Sequence, residues 1–133
     1  MLGRAMALII QNDLFMQHAD LITAIPLFWY KQFRRGYNQS SLIADTIAIN
    51  TGIKKQDILK RTRYTRSQTT LSEDARRVNV TGAFIVTRKS IEGLSILLID
   101  DVLTTGATMN ECAGVLKQAG AAEVYSCVAA ITP

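Results

Sequence analysis

The hydrophobic positions of this chain form short apolar runs that alternate with longer segments of mixed polarity. The clearest run, residues 96–99, contains only Ile and Leu. Because this run is short and lacks polar alternation, it predicts a strand buried on both faces of a parallel sheet. Residues 21–25, 83–86 and 124–131 are mainly apolar as well and predict further strands.

Apolar residues at helical spacing predict three helices, over residues 2–16, 38–50 and 108–119. Gly52 and Gly120 follow the second and third of these segments and are typical helix stops. The sequence therefore predicts helices between its strands, which is the order found in α/β proteins.

Residues 60–80 are polar, basic and poorly periodic, and we interpret them as one long loop. Loops of this length in compact domains are usually functional. The strand–helix–strand order over residues 96–131 fits a right-handed parallel crossover. Together these patterns predict a single α/β domain over residues 1–133, with a parallel sheet and helices on both of its faces.

Composition places the chain among soluble globular proteins, with 48% hydrophobic and 20% charged residues in 133. The chain has no apolar run of membrane-spanning length, and residues 5–10 are too short for a leader, so we expect no membrane span and a cytoplasmic location. Cys112 and Cys127 form neither a metal-binding pair nor a disulfide framework, and we expect both to pack in the core.

Two adjacent carboxylates, Asp100 and Asp101, follow the run 96–99 and are expected at the carboxyl end of a parallel strand. Ligands of open α/β sheets bind at that edge. The next small residues predict a turn whose backbone N–H groups, with the start of the following helix, form an anion cradle; they are Thr104, Thr105, Gly106, Ala107 and Thr108. The alternative is a buried strand followed by an ordinary helix cap.

Positive charge is concentrated in the middle of the chain, where residues 31–77 contain eleven basic and four acidic side chains. Such a segment suits a pyrophosphate-bearing substrate, but it would attract nucleic acid as well, and a solvated basic face is the third interpretation. The arginine fork matches phosphate oxygens. Our candidates for binding pyrophosphate are Lys31, Arg34, Arg35, Arg63 and Arg66.

The segment Asp-Asp-Val-Leu-Thr-Thr-Gly-Ala-Thr at residues 100–108 resembles the signature of type I phosphoribosyltransferases, which bind 5-phosphoribosyl-1-pyrophosphate (PRPP). The resemblance implies their parallel-sheet fold and a 5-phosphate bound by residues 104–108. It also implies that Asp100 and Asp101, as catalytic residues, meet the ribose hydroxyls directly or around Mg²⁺. Carboxylates suit that role because they accept hydrogen bonds from a diol.

Further segments, at residues 35–39, 60–71 and 77–84, resemble the ComF family, also called the GntX or competence-protein F type. With the signature, the resemblance covers residues 21–132. It implies phosphoribosyl transfer with loss of pyrophosphate, and a link to DNA uptake in competent bacteria. ComF proteins usually carry an N-terminal zinc-binding cysteine cluster that is missing here, so we expect a short member or part of a longer reading frame.

Three functions stay open at this stage. The first is an enzyme, a phosphoribosyltransferase of unknown acceptor, and the second is a PRPP-sensing module without chemistry. The third is a single-stranded DNA-binding protein of the competence machinery that uses residues 31–77. The acceptor is usually gripped by a hood element, for which only residues before about 20 are available, so we expect a minimal hood. The lone histidine, His18, is expected to be a cap or surface residue, and a homodimer is one option for the assembly.

Overall fold

The computed structural model describes residues 2–26, 38–62, 81–103 and 106–131. In these ranges it contains three α-helices, which are α1 (Leu2–Asn12), α2 (Gln39–Thr51) and α3 (Ala107–Gln118), and a short 3-10 helix (Met16–His18). Its strands are β1 (Leu21–Ala24), β2 (Lys54–Lys55), β3 (Leu59–Arg61), β4 (Phe84–Val86), β5 (Ser95–Leu103) and β6 (Glu123–Ile131).

Four strands form one parallel sheet in the order β2-β1-β5-β6. The register of β1 on β5 runs from Leu21 opposite Ile96 to Ala24 opposite Ile99. β3 and β4 form a separate antiparallel pair. The predicted α/β fold with a parallel sheet is confirmed, and so is the parallel crossover from β5 through α3 to β6.

The central strand β5 is buried on both faces, as its lack of polar alternation predicts. Ile96 and Leu98 pack in a cluster with α3 and the β3–β4 pair, whereas Leu97 and Ile99 pack in a second cluster with α1 and α2. All four side chains are fully buried. Each such side chain contributes about 1.5–3 kcal/mol of hydrophobic free energy, so this strand holds the two helical layers to the sheet.

Helix α2 begins and ends where its sequence predicts. The Asn38 side chain caps the helix by accepting a hydrogen bond from the Ser40 N–H, and Gly52 ends it in the left-handed conformation at φ 77°. Both residues are typical of these positions because Asn caps free N–H groups and Gly adopts positive φ without steric cost.

Helix α1 is shorter than predicted and ends at Asn12 rather than at residue 16. The Asp13 carboxylate accepts hydrogen bonds from the backbone N–H groups of Phe15 and Met16, which replaces the helical pattern by a local turn. The exposed His18 lies in the short 3-10 helix that follows, as expected of a surface residue.

Two strands were not predicted from the sequence. β2 consists of two lysines at the edge of the sheet, so it has no apolar pattern. β3 extends to Arg61, within the segment that we interpreted as a loop from residue 60. No helix in the described ranges is long and apolar enough to cross a membrane.

Candidate functional site

The paired carboxylates lie on β5, just beyond the point where its pairing with β1 ends. β1 makes its last pair between Ala24 and Ile99, and the Ile25 N–H then donates to the Ile99 carbonyl at 2.9 Å. In the described residues β6 alone accompanies β5 beyond this point, to Leu103. The acids were expected after the strand and are instead part of it, but they do lie beyond the carboxyl end of β1. Among the described residues, no strand pairs with β5 on the β1 side at Asp100 and Asp101.

A buried serine on α2 fixes the two acids relative to each other. The Ser40 hydroxyl donates to Asp100 Oδ1 at 3.1 Å and accepts from the Asp101 N–H at 3.2 Å. The same N–H also donates to Asp100 Oδ1, at 2.9 Å. Because Ser40 is only 4% exposed, these bonds are little weakened by water. The sequence analysis missed this residue, since a serine in the first turn of a helix is an ordinary occurrence.

Asn38 connects the helix that carries Ser40 to the end of β1. Its side-chain Nδ2 donates to the Ile25 carbonyl at 3.2 Å, while its Oδ1 accepts from the Ser40 N–H at 3.1 Å. The Ile25 N–H is in turn bonded to Ile99, the residue before Asp100. A closed circuit of hydrogen bonds therefore links β5, β1 and α2 around the acids.

The environment of Asp100 disfavours its ionised form. Desolvation, followed by the hydrogen bond and charge of Asp101, raises the pKa of Asp100 to about 7, against the opposing effect of hydrogen bonds from the Asp101 N–H and Ser40. Because the two carboxyl groups interact, ionising both of them costs free energy unless a cation is bound. The pair is therefore suited to a positive or hydrogen-bond-donating ligand.

Oxygen-only donors of this kind fit Mg²⁺, which in proteins is commonly held by one or two carboxylates together with substrate phosphates. Asp100 and Asp101 supply such a set. Among the described residues no group of three or more potential metal-ligating side chains occurs. The donor chemistry thus fits a cation that shares its coordination with a bound substrate.

Helix α3 begins beside this pair, one residue earlier than predicted. Its N-cap is Gly106, at φ 83°, which has no side chain to cap the helix. This conformation favours glycine, and the half-buried Thr108 lies in the first turn that follows. The backbone N–H groups of an amino-terminal helix turn, at the positive end of the helix dipole, are a favourable place for an anion.

Arg61 is a further cation within electrostatic reach of Asp100, and no pattern in the sequence singles it out. Its guanidinium lies over the Phe84 ring, 4.7 Å from the ring centre. Desolvation lowers the pKa of Arg61, and the nearby Cys112 and Asp100 act in the opposite direction. The alternation of buried Leu59, exposed Lys60 and half-buried Arg61 directs its side chain inward. A three-residue strand inside a basic segment is too short for this alternation to be recognised in the sequence.

Hydrogen bonds close the open end of the β3–β4 pair and attach it to α3. The Thr62 N–H donates to the Ala83 carbonyl at 2.7 Å, and the Gly82 N–H donates to Glu111 Oε1 at 3.1 Å. The chain therefore leaves β3 and returns to β4 close to the first turns of α3.

Several predicted residues lie outside the described part of the chain. These are the pyrophosphate candidates Lys31, Arg34, Arg35, Arg63 and Arg66, and the loop residues Thr104 and Thr105. Of the predicted site residues, the structure describes Asp100, Asp101, Gly106, Ala107 and Thr108, at the end of β5 and the start of α3.

Both cysteines are free thiols in the interior, as predicted. Cys112 is fully buried and Cys127 is half-buried. Burial raises the pKa of each thiol, and a thiol with a raised pKa is a poor nucleophile. Neither cysteine is therefore a candidate for nucleophilic chemistry.

The residues expected to be available for a hood are used in core packing instead. Met6 and Ile10 of α1 are buried against α2 and the sheet. Gln11 donates to the Asn50 carbonyl at the far end of α2 from Ser40, at 2.7 Å. α1 therefore stabilises the packing of α2 on the sheet.

Comparison with protein families and characterised sequences gives a consistent result. Residues 37–132 match the phosphoribosyl transferase domain. Competence protein F of Haemophilus influenzae is 35% identical over 108 residues, which are 79% of this chain and 47% of that protein. DNA utilization protein YhgH of Salmonella typhimurium is 36% identical over 110 residues, which are 82% of this chain and 48% of that protein. The chain spans about half the length of these relatives.

Solved structures show the same likeness. A structure of the allosteric regulatory enzyme of purine biosynthesis has a TM-score of 0.64 and 26% identity, and covers 96% of this chain and 24% of its own. Glutamine PRPP amidotransferase from B. subtilis, complexed with ADP and GMP, has a TM-score of 0.62 and 27% identity, and covers 96% of this chain and 25% of its own. A purine phosphoribosyltransferase from Pyrococcus horikoshii, at 15% identity and a TM-score of 0.61, covers 99% of this chain and 75% of its own, and shares the fold.

Proposed function

Because the chain belongs to the phosphoribosyl transferase domain family, as a homologue of competence protein F and YhgH, we propose that it binds PRPP with Mg²⁺ and transfers the phosphoribosyl group with release of pyrophosphate. The observation that carries this proposal is the placement of the acids. Asp100 is held by the Ser40 hydroxyl, which also accepts from the Asp101 N–H, beyond the carboxyl end of β1, and α3 begins a few residues later at Ala107.

The roles of the residues follow from their chemistry. Asp100 and Asp101 would accept hydrogen bonds from the ribose hydroxyls or hold Mg²⁺ there. Bound Mg²⁺ supplies positive charge that neutralises the leaving pyrophosphate. Ser40 holds the Asp100 carboxyl group and the Asp101 backbone N–H in one arrangement before the ligand arrives, which lowers the entropic cost of binding.

For the 5-phosphate we propose residues 104–108, of which Gly106 is the N-cap of α3 in a left-handed conformation. N–H groups at a helix start favour a phosphate through their partial positive charge. For the pyrophosphate we propose the cations Lys31, Arg34, Arg35, Arg63 and Arg66, whose side chains offer forked or point-charge donors. A cytoplasmic location stays a prediction, and no acceptor is predicted.

The test is a calorimetric titration with PRPP, with and without Mg²⁺. We expect the wild type to bind PRPP more tightly with Mg²⁺, and the double variant Asp100→Asn and Asp101→Asn to lose that dependence. The reason is that amides keep the shape of the site but not the charge that holds the cation. Thermal unfolding of the variant serves as the control for folding. Equal PRPP affinity in the variant and the wild type would refute the assignment.

A matched pair of serines tests the positioning of the acids within the same experiment. Ser40→Ala removes the hydroxyl that bonds Asp100 and Asp101, and we expect about tenfold weaker PRPP binding, from roughly one lost hydrogen bond. Ser41 lies next to it on α2, but its hydroxyl accepts from Lys55 Nζ at 2.8 Å. Ser41→Ala should therefore leave PRPP affinity unchanged, and equal losses in both variants would contradict the role of Ser40.

Turnover is measured separately, as pyrophosphate release in a screen of nucleobases. Release with one acceptor supports the transferase. If PRPP binds with Mg²⁺ but no acceptor yields pyrophosphate, the PRPP-sensing module is the better description of this domain.

A second candidate function is the binding of single-stranded DNA, which the names of the relatives and the basic residues 31–77 favour. Binding through phosphate contacts would show a steep salt dependence, with a slope of roughly 0.7 per contacted phosphate. We expect neutral substitutions of Arg34, Arg35, Arg63 and Arg66 to reduce that slope, as measured by fluorescence anisotropy of a labelled oligonucleotide. A slope that stays the same in these variants would exclude this segment as the DNA site.

A further inference from the structure

Arg61 is a half-buried cation whose Nε lies inside the protein, and it has no counter-ion in the described part of the chain. Its Nε has no exposure to solvent and no hydrogen-bond partner among the described residues. The ion pairs in those residues are made by Lys55, with Asp45 and Asp57. Asp100 is near enough for its charge to act on Arg61, but it does not pair with it.

Such an arrangement is costly in the absence of a ligand. A buried donor that loses its water without gaining a partner destabilises the fold, and a buried charge does so more strongly. The contact with Phe84 compensates in part, because the ring face attracts the guanidinium. It does not satisfy Nε, whose N–H lies in the plane of the guanidinium rather than along its face.

The position of Arg61 indicates which kind of ligand could balance its charge and bond its free donor. The residue is opposite Phe84 on the β3–β4 pair, and both Asp100 at the end of β5 and Cys112 on α3 lie within its electrostatic reach. Phe84, on which the Arg61 guanidinium lies, packs in one core cluster with Met109 and Cys112 of α3. Arg61 therefore lies near the first turns of α3, within electrostatic reach of Asp100. The guanidinium fork is matched to the oxygens of a phosphate group, to which it can donate two parallel hydrogen bonds.

We infer that Arg61 is an anion-binding residue of this site and that a phosphate group of the substrate supplies its missing counter-ion. The inference rests on the proposed PRPP binding. It adds to that site a cation that lies on a strand, β3. Arg61 would then be in place before the ligand arrives, with Phe84 behind it and Asp100 beside it.

The proposed role of Arg61 predicts that Arg61→Met stabilises the ligand-free protein and weakens ligand binding. Methionine keeps the apolar contact with Phe84 but removes the buried charge, so the melting temperature of the ligand-free protein should rise by a few degrees. Loss of a charge-assisted hydrogen bond should weaken phosphate-ligand binding by about 10- to 100-fold. A purely structural arginine would give the opposite sign for stability.

The experiment combines thermal unfolding with calorimetric titrations of PRPP, pyrophosphate and ribose 5-phosphate, each with Mg²⁺. Weaker binding of PRPP and pyrophosphate by Arg61→Met, with ribose 5-phosphate unaffected, places Arg61 at the pyrophosphate. Weaker binding of PRPP and ribose 5-phosphate alone places it at the 5-phosphate. Both results support the inference.

Lys60→Met is the matched control, because Lys60 is on the same strand, carries the same charge and is exposed. It should change neither the melting temperature nor the three affinities. The inference is overturned if Arg61→Met binds all three ligands like the wild type, or if it lowers the melting temperature, which would reveal an intramolecular counter-ion. If the wild type binds none of the ligands, the proposed PRPP function itself fails.

Discussion

At the scale of single residues, Asp100 shows how the fold changes the chemistry of an ordinary side chain. An aspartate in water is ionised at neutral pH. At the end of β5 it is desolvated beside a second carboxyl group, and its pKa rises to about 7. The folded protein therefore has a carboxyl group that changes its ionisation near neutral pH at the point where, in our proposal, a cation or a ribose hydroxyl binds.

This raised pKa makes the stability of the ligand-free protein dependent on pH. Between the ordinary pKa of aspartate and about 7, the folded state binds more protons at Asp100 than the unfolded state does. The stabilising contribution is complete at acid pH, and it is lost as the pH rises through that interval. Asp100→Asn does not titrate, so its free energy of unfolding relative to wild type should be higher at pH 8 than at pH 5, by about 1 kcal/mol or more.

Urea unfolding at the two pH values, without Mg²⁺, measures this difference. Glu123→Gln is a suitable control, because it neutralises an exposed carboxylate at the start of β6. If Asp100→Asn differs from the wild type by the same amount at pH 5 and pH 8, the environment of Asp100 does not disfavour its ionised form.

At the scale of elements, the contact between α1 and α2 depends on the absence of a side chain at Gly3. A Cβ atom at that position would lie 2.6 Å from the Cβ and Cγ2 atoms of Thr46. The Thr46 Cβ is attached directly to the α2 backbone, so it cannot rotate out of the way. The close approach of the two helices is therefore built on this glycine.

Two glycine substitutions separate packing from helix propensity. Gly3→Ala should destabilise the protein by about 1–2 kcal/mol, because overpacking outweighs the gain in helix propensity. Gly114 is in the interior of α3, and a Cβ there would meet nothing within 4 Å. Gly114→Ala should therefore stabilise by about 0.5–1 kcal/mol. Urea unfolding of both variants tests this, and a similar gain in both would show that α1 does not pack closely on α2.

The elements also show where sequence patterns were sufficient. The apolar run 96–99 was correctly predicted as a strand, and helix α2 was predicted with nearly correct bounds, because burial on both faces and end-capping are local requirements. β2 and β3 were missed because their pairing comes from neighbouring strands and not from their own residues. β5 extends beyond its apolar core for the same reason, since β6 supplies its partner as far as Leu103.

At the scale of the whole molecule, the sheet order β2-β1-β5-β6 brings distant parts of the sequence to one edge. The ends of β1 and β5 meet there, with the starts of α2 and α3 beside them. The predicted family and fold are confirmed by the match over residues 37–132 and by the structural likeness to phosphoribosyltransferases. The single-domain organisation over residues 1–133 stays a prediction.

The sequence by itself determined the family, the parallel α/β fold and the identity of the acidic pair. These features depend on local patterns, namely an apolar run, two adjacent carboxylates and a small hydroxyl-rich turn. Only the tertiary structure decided that the Ser40 hydroxyl bonds both Asp100 and the Asp101 N–H, and that the buried Nε of Arg61 has no hydrogen-bond partner among the residues the structure describes. Ser40 is 60 residues from Asp100 in the chain, and no local pattern encodes a contact across such a separation. Strand order and helix packing create it, because they are properties of the folded chain.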